Sequence, residues 1–144
     1  MTDTLPLAGV RIVDFSWIIA GPTCTRILGL MGAEVLKVES SRRPDPTRAG
    51  GGASFHLLNQ SKNSVSLNLS TERGLELAKK LISLSDVVIE NFATGVIERL
   101  GLGYDVLKAV RPDLVMVSSS GLGHTGPDRG HVAYGTLLQC FTGW

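Results

Sequence analysis

Short apolar runs alternate along the chain with longer segments in which apolar residues recur at helical spacing. The short runs are rich in β-branched residues and predict strands, whereas the longer segments predict helices. The predicted strands cover residues 10–15, 34–38, 64–69, 86–90 and 114–118. The predicted helices cover residues 23–31, 95–100 and 104–110, with another that opens at residues 70–73 and a last one within residues 132–144.

Local signals refine the boundaries of these elements. Pro22 suits the first turn of the first helix, and Gly32 suits its end. Residues 40–52 are rich in Arg, Pro and Gly and predict a loop. In the helix that opens at residues 70–73, Ser70 and Arg73 are placed at the capping positions. Its predicted apolar face consists of Leu75, Leu77, Ala78, Leu81, Ile82 and Leu84.

The alternation of strands and helices predicts an α/β fold, a parallel sheet with helices on both faces and right-handed crossovers. Ligands of such sheets bind beyond the carboxyl ends of the strands. The segments that follow the predicted strands at this edge are residues 16–20, 39–40, 91–93 and 119–121.

Composition narrows the classes of partner. The chain has 144 residues, of which 43% are hydrophobic, and a net charge of +1 without a long basic run. These values favour a packed core and argue against nucleic acid or a membrane surface as the main partner. The first nine residues lack the basic start of a secretory signal, and Cys24 and Cys140 lack zinc-ligand spacing, so we expect a cytoplasmic protein without a metal. The apolar stretch that ends at Trp144 suggests a truncated chain.

Several common kinds of site are absent from the sequence. The segment after the first strand has one glycine and a proline, so it does not match a dinucleotide fingerprint, and there is no P-loop. The serines at positions 118–120 lack the nucleophile elbow of a hydrolase. A pocket for a CoA thioester remains, with Asn91 and Phe92 either facing a ligand or forming an ordinary turn. The basic candidates, each otherwise a surface charge, are Arg42, Arg43, Arg48, Lys62 and Arg99.

Ordered motifs along the chain resemble the family III CoA-transferases (CaiB/BaiF-like), whose superfamily includes formyl-CoA transferase and acyl-CoA racemases. The matching segments are residues 7–15 with 20–22, 32–39, 59–65, 86–92 with Gly95, 99–104 and 120–127. The resemblance implies that residues 1–144 are the N-terminal part of a Rossmann-like large domain, with the remainder absent. It also implies CoA thioesters and carboxylic acids as substrates, no cofactor beyond CoA itself, and an interlocked homodimer.

The resemblance further implies roles for individual residues. The positions that would contact CoA are Ile19, Ala20, Leu67, Asn91, Phe92, Ala93 and Arg99. Two positions depart from the family pattern, since Ser40 and Val132 stand where basic residues are frequent, so the phosphate contacts are expected to differ.

The implied mechanism uses an aspartate nucleophile that would lie beyond Trp144, so no catalytic residue is assigned and residues 1–144 alone are expected to be inactive. Two alternatives stay open. One is a 2-methylacyl-CoA racemase, whose relatives carry a His-Asp pair where this chain has Tyr134 and Gly135. The other is a non-catalytic CoA-binding fragment.

Overall fold

The computed structural model describes residues 4–144, so residues 1–3 of the predicted 1–144 unit lie outside the described residues. The described residues form a sheet of five parallel strands in the order β3-β2-β1-β4-β5. The strands are β1 Arg11–Asp14, β2 Glu34–Glu39, β3 Lys62–Ser66, β4 Val87–Glu90 and β5 Val115–Ser118. The prediction of a parallel sheet is confirmed.

Helices connect the successive strands, and the last helix follows β5. They are α1 Ala20–Leu30, α2 Ala53–Leu58, α3 Glu72–Ser83, α4 Val96–Arg99, α5 Tyr104–Val110 and α6 Gly135–Thr142, with a 3-10 turn at Pro46–Arg48. Alternating β-strand residues point to opposite faces, and each face has its own apolar core. Val13 and Val88 pack with Ala78, Ile97 and Leu107 of α3, α4 and α5 on one face. On the other face, residues of β1, β2 and β4 pack with Leu28 of α1.

Two sequence predictions about local structure are wrong. The N-cap of α3 is Thr71, whose side chain accepts from Gly74 N at 3.2 Å, because the hydroxyl of Ser70 instead donates to Asn68 Oδ1. Leu77 and Leu84 belong to the predicted apolar face of this helix, but both side chains are exposed to solvent. The predicted loop over residues 40–52 is confirmed apart from the 3-10 turn, which Asp45 caps by accepting from Thr47 N at 3.0 Å.

The strand order creates a crevice at the carboxyl edge of the sheet. From β1 the chain passes through α1 to β2 on one side, whereas from β4 it passes through α4 and α5 to β5 on the other. The connections therefore diverge between the neighbouring strands β1 and β4. Such a divergence is the usual position of a ligand site in an open α/β sheet.

One sheet face is left uncovered at β5. Val115 and Val117 pair in register with Val87 and Ile89 and lie on the face that carries α1, yet they are 55% and 40% exposed. Leu137 and Phe141 of α6 are also exposed. Unpaired edges and apolar faces of this kind favour association. None of the helices in the described part is long and apolar enough to cross a membrane.

Residues 1–144 expressed by themselves are expected to self-associate through this edge. Val117→Lys should raise the monomer fraction measured by size-exclusion chromatography with light scattering, because a charge at a sheet edge opposes strand pairing. Leu84→Lys, which removes another exposed apolar side chain at the end of α3 rather than on β5, should leave association unchanged. A monomeric wild-type fragment with a cooperative thermal melt would contradict the expectation.

Candidate functional site

A cavity of about 1270 Å³ lies at the carboxyl ends of β1 and β4. The segment that follows each of the five strands contributes residues to the cavity wall, as expected where the connections diverge. The wall combines apolar side chains with a few polar groups, the usual composition of a ligand site. Its lining residues are 17–20, 40, 42–43, 68–70, 91–93, 96, 100, 119–121, 131–136 and 138.

The loop between β1 and α1 is joined to β4 by the side chain of Asn91. Its Oδ1 accepts from Trp17 N at 2.7 Å, and its Nδ2 donates to Trp17 O at 2.8 Å. The amide therefore acts like one more residue of a β-ladder between two loops that are 74 positions apart. Because both ends of the side chain are occupied, Asn91 shapes the wall of the cavity and leaves ligand contacts to its backbone and neighbours.

A close approach of α1 to this loop requires glycine at position 21. A Cβ built on Gly21 would overlap the side chain of Ser16 and come within 3.5 Å of Asn91 Cγ. Pro22 follows in the first turn of α1, where its missing N–H costs nothing. The Gly-Pro pair thus brings the start of α1 against the cavity.

Two buried charged side chains, Lys37 and Asp45, hold the backbone of the same loop. Lys37 Nζ donates to Ser16 O at 2.7 Å and lies 3.5 Å from Asp45 Oδ2. The Asp45 carboxylate also accepts from Ile18 N at 3.3 Å. Ile18 has φ +67°, a left-handed conformation that is rare for a β-branched residue. The backbone of the loop is therefore held by side chains that come from outside it.

A second buried ion pair joins β1 to β3. Lys62 Nζ lies 3.0 Å from Asp14 Oδ2, and the two side chains are 1% and 0% exposed. Thr25 also donates to Asp14 at 2.6 Å, and Asn59 accepts from Lys62 at 2.8 Å. Burial lowers the pKa of Lys62, and the Asp14 carboxylate offsets only part of this effect. The pair fixes the start of α1 to the sheet, because Lys62 also donates to Pro22 O at 3.0 Å.

Two arginines give the cavity its positive charge. Arg42 and Arg43 line the wall, and no ion pair joins either of them to a carboxylate among residues 4–144. The Arg43 guanidinium lies 5.6 Å from the centroid of the Trp17 ring, within the range of a cation–π contact. Trp17 in turn meets Phe92 edge to face at 6.0 Å. No Asp or Glu lines the cavity within the described residues.

Arg48, by contrast, is engaged with Glu39. It donates to both Glu39 oxygens at 2.8 Å, and Ser64 donates to the same carboxylate at 2.7 Å. Burial alone would raise the pKa of Glu39, but the hydrogen bonds from Arg48 and Ser64 outweigh it and hold the pKa below its usual value. Arg48 and the buried Lys62 are therefore structural cations.

The structure brings five of the seven predicted CoA contacts into the cavity wall, namely Ile19, Ala20, Asn91, Phe92 and Ala93. Leu67 packs against the apolar core instead, and the adjacent residues 68–70 line the cavity. Arg99 is exposed and outside the wall, with a guanidinium nitrogen beside Gly95. Contact of any of these residues with CoA stays a prediction.

Sequence reasoning missed the buried charges around the loop. Lys37 stands between Leu36 and Val38 in β2, and only its 1% exposure shows that it is a core residue. The available signal was a lysine within a strand, followed by Asp45, the one acidic residue of the loop over residues 40–52.

Comparison with known proteins assigns the chain to a family. The model of CoA-transferase family III matches residues 7–144, nearly the whole chain. The chain belongs to CoA-transferase family III. The predicted α/β fold is likewise confirmed by a crystal structure of a CaiB/BaiF family protein from Brucella suis, which is 39% identical with a TM-score of 0.92. That match covers 97% of this chain and 40% of the Brucella chain.

Curated relatives of this family III chain carry enzyme names. The beta subunit of succinyl-CoA–L-malate CoA-transferase from Chloroflexus aurantiacus is 42% identical over 99% of this chain. Succinyl-CoA:glutarate CoA-transferase from Mus musculus is 35% identical over 96% of it. The chain spans 37% of the first relative and 33% of the second.

Removing one member of the Asp14–Lys62 pair should destabilise the family III fold strongly. Lys62→Met in the complete protein is expected to cost about 3–5 kcal/mol in urea denaturation, because it leaves the Asp14 carboxylate buried without a cation. Asp14→Asn combined with Lys62→Met should recover part of this loss.

The exposed pair Arg73–Glu76 provides the control for that measurement. Arg73→Ala should cost less than about 1 kcal/mol, since exposed ion pairs contribute little. A cost for Lys62→Met as small as that of Arg73→Ala would show that the buried pair is not a main support of the fold.

Proposed function

We propose that the complete protein containing this chain transfers CoA between an acyl-CoA thioester and a free carboxylic acid. The observation that carries the proposal is the cavity at the β1–β4 divergence, with apolar walls and two unpaired guanidinium groups, in a chain of CoA-transferase family III. The CoA moiety combines phosphates with a long, less polar arm. A positive end and an apolar wall match both parts.

Within this proposal, different lining residues bind different parts of the CoA thioester. Arg42 and Arg43 would bind phosphate or carboxylate oxygens, because guanidinium forks suit both anions. Trp17, Ile19 and Phe92 would pack against the arm of the thioester. The cavity wall therefore supplies binding and orientation, which are the parts of catalysis that a rigid pocket provides.

The reaction itself requires a nucleophile from outside this wall. In the proposed course an aspartate attacks the thioester carbonyl, the C–S bond breaks, and a mixed anhydride forms as the CoA thiolate leaves. The thiolate then attacks the aspartyl carbonyl, which releases the donor acid and leaves CoA as an enzyme thioester. The acceptor carboxylate repeats these two steps in reverse and departs as the new acyl-CoA.

None of the described buried carboxylates is placed for that attack. The carboxylate of Asp14 pairs with Lys62, and that of Asp45 pairs with Lys37. Glu90 accepts from Phe92 N at 2.7 Å. None of the three lines the cavity. We therefore assign the nucleophile to the part of the complete protein beyond residues 1–144, and expect residues 1–144 alone to be inactive.

The names of the relatives suggest the substrate class. They pair succinyl-CoA with malate, glutarate or citramalate. We therefore propose succinyl-CoA as the donor and a dicarboxylic acid as the acceptor, with CoA as the only cofactor-like group. The dicarboxylates carry a second carboxylate, for which an arginine such as Arg42 or Arg43 is a suitable partner.

Racemisation of a 2-methylacyl-CoA is the second candidate, because His131 lines the cavity and its Nδ1 lies 3.8 Å from Asp128 Oδ1. The two side chains are 73% and 59% exposed, so nothing fixes them as an acid–base pair. At the position where related racemases carry a His-Asp pair, Gly135 has no side chain. Transfer is therefore the better supported function.

A homodimer is also proposed for the complete protein. The exposed valines of β5 and the apolar side chains of α6 are surfaces that further chain or a second copy would cover. Some of the relatives are named as alpha or beta subunits, so assembly from two different chains is the alternative to be distinguished by mass measurement.

The complete protein, expressed from its natural reading frame, should exchange CoA between succinyl-CoA and a panel of dicarboxylates. Formation of the new acyl-CoA is followed by liquid chromatography and mass spectrometry, and racemisation by exchange of the α-proton of 2-methylacyl-CoA in D₂O. Proton exchange without CoA transfer would overturn the proposal in favour of the racemase.

Arginine variants test the binding half of the proposal. Arg42→Ala combined with Arg43→Ala should raise KM for succinyl-CoA by about tenfold or more, because a charge-assisted hydrogen bond contributes about 1.5–3 kcal/mol. Arg73→Ala removes a similar charge from the exposed surface of α3 and should leave KM unchanged. Equal KM values for the double variant and Arg73→Ala would exclude Arg42 and Arg43 from the site.

A further inference from the structure

The conformation of Ile18 is the least expected backbone feature of the cavity wall. A β-branched residue at φ +67° costs energy, and such outliers persist only where the surroundings hold them. Ile18 stands between Trp17 and Ile19, all of which line the cavity. Its left-handed turn therefore decides where these neighbouring side chains point.

The groups that hold this turn come from the strand and loop next to it. Asp45 is 3% exposed and accepts from Ile18 N at 3.3–3.4 Å, while Thr47 orients the same carboxylate by donating from N at 3.0 Å and Oγ1 at 2.7 Å. Lys37 is 1% exposed, lies 3.5 Å from Asp45, and donates to Ser16 O at 2.7 Å. Neither Lys37 nor Asp45 lines the cavity.

The same pair joins two walls of the cavity. Asp45 belongs to the loop after β2 that also carries Arg42 and Arg43, whereas Ser16 and Ile18 belong to the loop after β1. The contact between Arg43 and Trp17 joins the two loops a second time. A shift of Asp45 would therefore move both the apolar and the cationic parts of the wall.

From this arrangement we infer that Asp45, with Lys37, is a positioning residue: it holds Ile18 in its left-handed conformation and so keeps the wall in the shape that receives the CoA thioester. The inference rests on the proposed function, because the ligand is taken from it. A buried ion pair is not needed for stability as such, since apolar side chains of similar size often serve as well. Its value here is the two backbone contacts, to Ser16 O and to Ile18 N.

The central test is Asp45→Asn in the complete protein. The amide keeps the size of the side chain and an oxygen for Thr47 N, but removes the charge that faces Lys37 and Ile18 N. We expect the Kd of CoA, measured by calorimetry, and KM for succinyl-CoA to rise about tenfold, as for a small misplacement of a binding group, with a smaller change in kcat. Hydrogen exchange at the amides of residues 17–19 should become faster in the free protein.

Asp86→Asn is the matched control. Asp86 lies at the opposite, amino edge of the sheet, where it accepts from Arg11 N and Arg111 at 2.9 Å. The same chemical change there should lower thermal stability without changing the Kd of CoA. Equal Kd values for the wild type, Asp45→Asn and Asp86→Asn would overturn the inference while leaving the proposed function standing, whereas a wild type that binds no CoA would overturn the proposed function itself.

A double-mutant cycle with Ile18→Gly separates conformational control from general damage. Glycine adopts φ +67° without strain, so the carboxylate is no longer needed to hold the turn. The tenfold effect of Asp45→Asn on Kd should therefore shrink towards unity in the Gly background. An undiminished effect would count against the inference.

Should Asp45→Asn fail to fold, Thr47→Val is the milder variant. It removes only the hydroxyl that donates to Asp45 and leaves both buried charges in place. A rise in the Kd of CoA of at least about threefold, with accelerated exchange at residues 17–19, supports the inference, whereas an unchanged Kd overturns it.

Discussion

The cavity depends on one constraint, which is that the polar backbone groups of the loop between β1 and α1 need hydrogen-bond partners. Ser16, Trp17 and Ile18 leave the sheet and cannot complete a ladder, yet Ser16 is buried and the other two residues are only partly exposed. Unpaired buried backbone groups are costly, so side chains must replace the missing strand. Lys37 and Asn91 fulfil this role, together with Asp45, from three separate positions in the chain.

The register of the sheet makes this replacement possible. Asp14 and Lys37 are partners across β1 and β2, and the neighbouring strand β3 carries Lys62 on the same face. A slip of one residue in any of these strands would turn its charged side chain to the apolar core of the opposite face. The buried charges thus favour a single register as well as a single loop conformation, because each is tolerated only beside its partner.

The sequence contained most of the fold and part of the site. Apolar periodicity predicted every strand to within a few residues, because a short apolar or alternating run marks each of them, and the strand ends located Asn91 and Phe92. Periodicity could not identify Lys37 or Lys62 as buried, because a lysine within a strand has the same pattern whether it faces water or a carboxylate. The partners are also distant, with Asp14 and Lys62 separated by 48 positions. Ser70 failed as a cap for a similar reason, since its hydroxyl had a competing acceptor in Asn68.

The ion pairs around these loops also explain why the cavity is positive. The loop after β2 contains Asp45 and begins next to Glu39, and each carboxylate already has a partner: Arg48 binds Glu39 with two hydrogen bonds, and Lys37 lies beside Asp45. Arg42 and Arg43 stand between these carboxylates in the chain but reach neither of them. Because Arg48 and Lys37 already pair with these carboxylates, no carboxylate of the described residues pairs with the guanidinium groups of Arg42 and Arg43. The groups that shape the pocket therefore also set the charge of the ligand it attracts.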